Sequence, residues 1–354
     1  MRDVRIAHLA DFHVSREYRR GNLRNVRRTL DHVLRMGVDH VVVTGDITAN
    51  AEDSDFQVAR QLFSSFGLLD AKRLTVTIGN HDVFGGVHTA EDVLHFPGRC
   101  RGTDYAGRIL SFKRHFEETF EGVTYGGSSS VFPFAKRVGD VVLFAVNSIA
   151  PHAPFRNPLG SNGEVSNGEF RRLERLLSSR RFAGLRRVVL IHHHFHTPVV
   201  PLSAGLPTLW GLLERQTMKL RGKDRLIRML AKWGVESVLH GHHHKTETYQ
   251  RNSIQFSNAG GTVLGPEEGL IAFNLLTVRH DGIETQRVHL PSGSPGSAPV
   301  RPVNIPVIPS GAHQAASFSF VCPPRMRRRS HAYAASELPV QSVPQLRLVT
   351  NHGA

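Results

Sequence analysis

The sequence predicts an α/β domain built of layers, and three observations lead to this prediction. Apolar runs rich in β-branched residues alternate with segments of helical periodicity, and the last two runs follow each other without a helix. Most of these runs are continuously apolar, which is typical of strands buried on both faces. The chain has 354 residues, of which 40% are hydrophobic, so it can bury a substantial core.

Each element is predicted from its local pattern. The predicted strands are residues 4–9, 40–44, 74–78, 141–146, 187–191, 235–239, 270–279 and 283–290. The predicted helices are residues 22–36, 53–66, 111–120, 167–179 and 223–233. In the first helix Leu23, Val26 and Leu30 share one apolar stripe, and most of the arginines lie outside it.

Two segments between these elements are predicted to be inserts that shape a pocket. Residues 84–110 are predicted to be a long loop because they contain five glycines: Gly85, Gly86, Gly98, Gly102 and Gly107. Residues 197–221 carry apolar side chains, among them Trp210, at near-helical spacing. Core packing is one interpretation of this stripe, and a lid or a surface for a lipid-like substrate is the other.

The composition changes after residue 290. Residues 291–354 are rich in proline, serine and arginine and have no regular apolar period. This pattern predicts one folded domain over 1–290 followed by a largely disordered tail over 291–354.

The composition also limits the classes of partner. A formal net charge of +14 favours anionic ligands, phosphorylated substrates included. The charge allows nucleic acid as a partner, but basic patches interleaved with aromatic residues are missing, so nucleic acid is not favoured. The only cysteines, Cys100 and Cys322, exclude a disulfide framework and a thiolate metal cluster. No signal sequence or 18-residue apolar stretch is visible, which predicts a soluble, cytoplasmic protein without a membrane span.

Five short polar segments carry the chemistry of the chain, and each follows a predicted strand. They are Asp11-Phe12-His13, Gly45-Asp46, Gly79-Asn80-His81-Asp82, His192-His193-His194 and Gly241-His242-His243-His244. In open α/β sheets, sites form beyond the carboxyl ends of the strands. Side chains two residues apart on extended backbone point the same way, so Asp11 can converge with His13, and His242 with His244.

Each segment taken alone has an ordinary alternative. An Asp-x-His pair can be a surface feature, Gly-Asp can cap a helix, Gly-Asn-His-Asp can be a polar turn, and a histidine tract can bind metal adventitiously. Their order and their common position at strand ends together predict a site for two divalent metal ions. Carboxylate, amide and imidazole ligands without sulfur suit Mn, Fe, Zn or Ni.

In this order the motifs closely resemble those of the calcineurin-like metallophosphoesterase superfamily. The resemblance implies a four-layer α-β-β-α sandwich with two central mixed sheets and a metal site at the C-terminal ends of the strands. It also implies two sets of ligands that share Asp46. One set is Asp11, His13, Asp46 and His244, and the other is Asp46, Asn80, His192 and His242.

The resemblance assigns two further roles. His81 matches the non-ligand histidine that steadies the transition state and protonates the leaving group, and Asp82 is expected to orient it. In the family the ligand is the first histidine after the strand, so His192 is chosen over His193.

Within the superfamily, residues 4–290 look most like the class III cyclic-nucleotide phosphodiesterases. Ile47-Thr48, Asn147-Ser148 and Gly163-Glu164-Val165 support this, whereas Ile78 and Asn147 replace the proline and aspartate usual in that branch. The Asp-Arg-Gly motif that follows Gly-Asp in protein Ser/Thr phosphatases is missing, and Ile47-Thr48-Ala49 follows instead. The implied function is hydrolysis of small phosphodiesters such as 3',5'-cyclic nucleotides. The alternatives are a nuclease or a lipid-linked nucleotide pyrophosphatase with the same metals, and a non-catalytic binding scaffold.

Overall fold

The computed structural model describes residues 3–18, 20–195, 218–244, 246–261, 270–291 and 303–304. The chain divides into two compact units, residues 1–310 and 311–354, and all of the described residues belong to the first. This unit contains two large mixed β-sheets and the helices that cover them.

The first sheet has six strands in the order β15-β14-β13-β1-β2-β3. Its strands are β1 (Val4–Leu9), β2 (His40–Thr44), β3 (Leu74–Thr77), β13 (Leu270–Val278), β14 (Ile283–Pro291) and β15 (Val303–Asn304). The strands β1, β2 and β3 run parallel, and β13 pairs antiparallel with β1. Parallel neighbours bring the ends of β1, β2 and β3 to one edge of the sheet.

The second sheet has seven strands in the order β11-β12-β10-β8-β6-β5-β4. Its strands are β4 (Thr124–Tyr125), β5 (Phe134–Val138), β6 (Val141–Ala145), β8 (Arg186–Leu190), β10 (Ser237–His240), β11 (Thr246–Arg251) and β12 (Ile254–Ala259). The strands β6, β8 and β10 run parallel. A separate pair joins β7 (Gly163–Glu164) to β9 (Leu220–Arg221).

Six helices are described. They are α1 (Arg20–Arg35), α2 (Asp53–Ser65), α3 (Ala90–Gly102), α4 (Tyr105–His115), α5 (Asn167–Leu177) and α6 (Lys223–Lys232). Short 3₁₀ turns occupy Glu117–Phe120 and Arg180–Phe182.

The core shows how the layers are stacked. Along β6, Val141, Leu143 and Ala145 belong to a cluster that also contains residues of the first sheet and of α1 and α2. The alternate residues Val142 and Phe144 belong to a second cluster with the apolar faces of α5 and α6. One face of the second sheet therefore packs on the first sheet and the other packs on helices. The predicted α/β sandwich with two central mixed sheets is confirmed.

The prediction of a long loop over residues 84–110 was wrong. From Ala90 onwards this segment forms α3 and the first part of α4. Thr89 begins α3 with a reciprocal capping box to Asp92, and the Asp104 side chain accepts a hydrogen bond from Gly107 N at the start of α4. These caps outweigh the low helix propensity of the glycines. The helix predicted over 111–120 is likewise the end of α4 and a 3₁₀ turn.

Two predictions fall on residues outside the described part of the chain. The stripe around Trp210 lies within 196–217, and of that insert the structure describes only residues 218–221, which include β9. Of the predicted tail the structure describes Pro291, the last residue of β14, and β15, which pairs with β14 at Gln286 and Arg287. The domain boundary and the roles of both segments therefore stay predictions. No helix among the described residues is long and apolar enough to cross a membrane.

Candidate metal centre

The predicted site residues lie just beyond the carboxyl ends of five strands, three in the first sheet and two in the second. Asp11 and His13 follow β1, Asp46 follows β2, and Asn80, His81 and Asp82 follow β3. His192 follows β8, and His242 and His244 follow β10. Seven of these side chains, those of Asp11, His13, Asp46, His81, His192, His242 and His244, form three groups whose ligand atoms lie within 4.8 Å of one another.

The convergence of these side chains does not come from strand alternation, so that part of the sequence argument was wrong. The φ angles of Asp11, His13 and Asp46 are 56°, 43° and 51°, and those of His242 and His244 are 73° and 47°. This left-handed region costs a non-glycine residue on the order of 1 kcal/mol or more, and such residues cluster at functional sites. The chain therefore turns sharply after β1, β2 and β10, and these turns direct the side chains towards a common volume.

The left-handed turns are held by hydrogen bonds between adjacent strand ends. Asp11 N donates to Gly45 O over 3.1 Å, and His13 N donates to Asp46 O over 2.9 Å. The backbone of one candidate ligand segment therefore fixes the backbone of the next.

Glycines let the strand ends approach closely. At Gly45, where φ is +87°, a Cβ atom would lie 2.6 Å from His192 Nδ1. At Gly79 a Cβ atom would lie 2.2 Å from both Asp46 N and Asp46 Oδ1. A side chain at either position would occupy the space that the carboxylate and imidazole need.

The first group of side chains consists of Asp11, His13 and His244. The Nε2 atoms of His13 and His244 are 3.1 Å apart, and His244 Nε2 is 3.9 Å from Asp11 Oδ1. Asp11 is fully buried, and its two oxygens accept a hydrogen bond from His242 N at 3.1 Å each.

The second group consists of Asp46, His192 and His242, with Asn80 beside it. His192 Nε2 lies 3.3 Å from Asp46 Oδ2 and 3.0 Å from Asn80 Oδ1. His242 Nδ1 lies 3.2 Å from the same His192 nitrogen. The other ring nitrogen of His192, Nδ1, lies 2.8 Å from the Thr44 carbonyl oxygen, which fixes the orientation of the ring.

Asp46 links the first and second groups through one oxygen, and it also belongs to the third group, with His13 and His81. Its Oδ2 is 3.8 Å from His13 Nε2 and 3.3 Å from His192 Nε2. Its Oδ1 accepts a hydrogen bond from His81 N at 2.8 Å. The two carboxylate oxygens therefore have different partners, and Oδ2 is the atom common to both groups.

The electrostatics of the centre are those of crowded, buried ionisable groups. Burial raises the pKa of Asp11 well above its ordinary value, and the negative charge of Asp46 adds to this effect. Burial also opposes ionisation of Asp46, but His192, His81 and His13 around it hold the pKa of Asp46 well below its ordinary value. The pKa of His192 is about 9, since the attraction of Asp46 outweighs the burial that would lower it.

These donors fit divalent cations. Two imidazole nitrogens 3.1–3.2 Å apart can share only one proton, and this contact occurs both between His13 and His244 and between His192 and His242. A cation between the rings would be coordinated by both lone pairs and would also neutralise the buried carboxylates. Oxygen and imidazole ligands are the set expected for a first-row divalent ion.

The prediction that Asp82 orients His81 was wrong. Asp82 Oδ1 accepts hydrogen bonds from Thr48 N and Oγ1 at 2.8 and 3.0 Å, and Oδ2 accepts from Gly79 N and Ile47 N at 2.9 and 3.3 Å. Asp82 therefore ties the β2 turn to the β3 turn. Burial, and then the charge of Asp46, raises its pKa to about 7.

A backbone carbonyl orients His81 instead. His81 Nδ1 lies 3.1 Å from Ala49 O. A carbonyl only accepts, so Nδ1 carries a proton and Nε2 is the nitrogen that can exchange one. The His81 and His13 rings meet edge to face, with centroids 4.5 Å apart. The carbonyls of Thr44 and Ala49 are functional groups that the sequence did not reveal, because any residue type supplies a carbonyl.

The neighbouring histidines have other partners. His193 Nδ1 lies 2.8 Å from Ser148 Oγ, and its Nε2 lies 3.2 Å from Ser161 O. These contacts anchor the turn after β8 to the segment after β6. His194 stacks on His242, with ring centroids 5.7 Å apart, and its pKa is lowered to about 2, chiefly by burial.

Comparison with known proteins agrees with this geometry. A sequence profile described as "Calcineurin-like phosphoesterase" matches residues 4–246. The chain belongs to this family. Members of this metallophosphoesterase family use a dinuclear metal centre. A search of the curated proteins gives no match.

Two solved structures share the fold at low sequence identity. A dimetal phosphatase from Danio rerio is 13% identical with a TM-score of 0.50, and the match covers 81% of this chain and 95% of that one. A purple acid phosphatase from yellow lupin (Lupinus luteus) seeds is 13% identical with a TM-score of 0.52, and the match covers 82% of this chain. The chain spans about half (52%) of the lupin protein.

Proposed function

We propose that this protein is a phosphodiesterase that hydrolyses small diesters, 3',5'-cyclic nucleotides among them, with two divalent metal ions. The observation that carries the proposal is the position of Asp46 Oδ2, within 3.8 Å of His13 Nε2 and within 3.3 Å of His192 Nε2. Two adjacent ions need a ligand that both can share. A carboxylate oxygen that faces two separate groups of ligands can fill that role. Family membership supports phosphoester chemistry at this place.

The two groups supply the proposed ligands. One ion would be held by Asp11, His13, His244 and the shared Asp46, and the other by Asp46, Asn80, His192 and His242. The choice of His192 over His193 is supported by their hydrogen bonds, because His193 uses both ring nitrogens on Ser148 and Ser161.

The ions would supply Lewis-acid activation of water and of the phosphoryl oxygens. The protein's own residues hold that chemistry in place. Asp82 fixes the turns that carry Asp46 and Asn80, and Thr44 O fixes His192. The His81 side chain lies in one group with His13 and Asp46, and Ala49 O holds its Nδ1, so a protonated His81 can donate a proton from Nε2 to the leaving alcohol.

The residues after Asp46 favour a diester over a monoester. Ile47, Thr48 and Ala49 are completely buried and carry no positive charge, and the Asp-Arg-Gly motif of protein Ser/Thr phosphatases is missing from this segment. A phosphodiester bears one negative charge, whereas a monoester near neutral pH approaches two. The diester therefore needs less cationic support beyond the metals.

A substrate panel with added Mn²⁺ tests the proposal. The substrates are bis-p-nitrophenyl phosphate, p-nitrophenyl phosphate, cAMP, single-stranded DNA and a UDP-diacylglucosamine analogue. We expect kcat/KM to be highest for the small diesters. Preferential cleavage of DNA or of the UDP lipid would overturn the substrate class, and turnover of none of them would overturn the enzyme function.

A further inference from the structure

A basic surface covers the outer side of the second sheet. It consists of α5, the 3₁₀ turn after it, and the segment that runs from β9 to the end of α6. Residues 167–182 and 219–232, which make up this basic surface, contain eleven arginines or lysines and three acidic residues. These 30 residues therefore carry a formal net charge of +8, out of +14 for the whole chain.

The helical period places the basic side chains on one face of each helix. The leucine-rich faces of α5 and α6 are buried in the same core cluster, against the same side of the second sheet. The opposite faces are exposed and carry, three or four residues apart, Arg171, Arg175, Arg225, Arg228 and Lys232. Because both helices pack on one side of one sheet, their exposed faces point in the same direction.

The two helices lie side by side and run parallel. Arg225 Nη1 donates a hydrogen bond to Asn167 Oδ1 over 2.7 Å, and Lys232 Nζ donates to Glu174 Oε1 over 3.0 Å. Both contacts join residues 58 positions apart, so the helices keep one register over about two turns. The two rows of basic side chains therefore form one continuous surface, which the sequence concealed because its halves are far apart in the chain.

The acidic residues of the basic surface do not cancel its charge. Glu174 is paired with Lys232, and Asp224 Oδ1 lies 3.1 Å from Nη2 of Arg251, which lies on the neighbouring strand β11. Burial raises the pKa of the third acidic residue, Glu169, to about 7, so this residue is only partly ionised near neutral pH. The surface therefore keeps an excess of positive charge that attracts a polyanion.

The type and the arrangement of the basic residues fit phosphates in two rows. Four of the five exposed basic residues on the two helices are arginines, and the guanidinium fork matches the oxygens of a phosphate. Packed helices are about 8–10 Å apart. The strands that border the grooves of a nucleic-acid duplex are separated by about 6–12 Å, so the row on each helix can follow one strand.

Other polyanions fit this surface less well. Membrane-binding helices expose apolar side chains beside the basic ones, and protein interfaces are centred on aromatic or aliphatic anchors. Among the described residues the large exposed apolar side chains are Leu94, Leu110 and Phe155, and none of these lies on α5 or α6. Single strands stack on exposed aromatic rings, but the guanidinium of Arg225 covers the ring of Phe170, with Cζ 3.9 Å from the ring centroid.

We infer that the basic surface binds the phosphate backbone of a double-stranded nucleic acid. This binding is separate from the proposed hydrolysis, because no residue of the basic surface is a proposed metal ligand. Aromatic residues interleaved with basic ones are missing from the sequence, which weighs against a single strand. A duplex needs no such residues, since it is bound through its backbone charge.

Fluorescence anisotropy with a labelled DNA duplex of about 20 base pairs tests the inference. The dissociation constant is measured over a series of salt concentrations, and gel electrophoresis checks that the probe stays intact. We expect the logarithm of the affinity to fall linearly with the logarithm of the salt concentration, with a slope of about −0.9 for each phosphate contact.

A double variant locates the binding. Arg171→Gln combined with Arg228→Gln removes one exposed arginine from each helix. It should reduce the steepness of the salt dependence by about 1.8 and weaken binding about fiftyfold at about 0.1 M salt, because each lost contact changes the affinity by the salt concentration to the power of about 0.9. Each substitution alone should give about half of the change in slope.

The matched control removes the same charge from the helix α1, which packs on the first sheet. Arg24→Gln combined with Arg27→Gln should leave the slope and the affinity nearly unchanged. All four arginines are exposed and make no hydrogen bond or ion pair with the residues that the structure describes. Glutamine keeps the helix propensity, so urea midpoints should show that both double variants are folded.

The possible failures are distinguishable. Absence of duplex binding at about 0.1 M salt, or equal losses in the two double variants, would overturn the inference. Tighter binding to a single strand of the same sequence would also overturn it, as would binding to phosphatidylserine vesicles without binding to the duplex. A protein that binds the duplex as expected but hydrolyses no diester would support the basic surface and overturn the proposed function alone.

Discussion

Replacing Gly79 by alanine tests the claim that close contact between the β2 and β3 turns shapes the metal centre. The new Cβ atom would lie 2.2 Å from Asp46 N and Oδ1, whereas ordinary contact begins at 3.4 Å, so the two turns must separate by about 1.2 Å. Overpacking of this kind costs about 1–3 kcal/mol of unfolding free energy. A displacement of about 1 Å in a catalytic group lowers the rate on the order of a hundredfold.

The assay compares three quantities in Gly79→Ala and the wild-type protein. We expect metal content per chain to fall, kcat/KM for bis-p-nitrophenyl phosphate to fall about a hundredfold, and the urea midpoint to decrease. Gly98→Ala is the matched control, because a Cβ atom at this position in α3 meets nothing within 4 Å. That variant should keep its metal and gain about 0.5–1 kcal/mol from helix propensity. Wild-type metal content and turnover in Gly79→Ala would refute the reasoning.

Three further predictions follow from the same structure. His81→Ala should keep both metals, measured by elemental analysis, but lose about 10²–10⁴ of turnover, whereas Asp46→Ala should lose metal and turnover together; full activity in His81→Ala would contradict the role of this residue. Chelation should lower the thermal midpoint, because ions at about 100 times their Kd stabilise the folded state by about 2.7 kcal/mol, and a midpoint unaffected by chelator would contradict this. Burial lowers the pKa of Lys136 to about 7 in the folded protein from 10.5, so this lysine should make the unfolding free energy increase as the pH rises from about 7 to about 10.5. Urea titrations of Lys136→Met across that range should lack this part of the increase, and parallel curves for the two proteins would contradict the shift.

The strands that carry the site could be predicted because they are buried on both faces. All residues of β2 and of β6 are buried, and their sequences are continuously apolar or nearly so. By contrast, β11 and β5 were not predicted from the sequence, because they mix apolar with polar residues. The sequence Thr-Glu-Thr-Tyr-Gln-Arg of β11 lies at the edge of its sheet, half-buried along most of its length, and its pairing with β12 determines the strand more than its own pattern does.

The candidate site was predicted in its residue types but not in its geometry. Asp11, Asp46 and His192 were identified because carboxylates and imidazoles after apolar runs are rare and their order is distinctive. The left-handed turns at Asp11, Asp46 and the histidines after β10 were not predicted, since an Asp or a His at positive φ looks the same in sequence as one in a strand. The role of Asp82 was misjudged for a similar reason, because its partners are backbone N–H groups, which every loop offers.

The origin of the ligands in two sheets has a consequence for how the protein matures. His13 and His244 meet across 231 positions of sequence, and Asn80 and His192 across 112. During synthesis the first sheet's turns leave the ribosome long before their partners on β8 and β10 exist. A nascent chain that ends before β10 holds only part of each proposed ligand set, so high-affinity metal uptake must come late, after both sheets have joined. Metal binding would then indicate that the chain has folded correctly, since only a chain with both sheets in place can retain its ions.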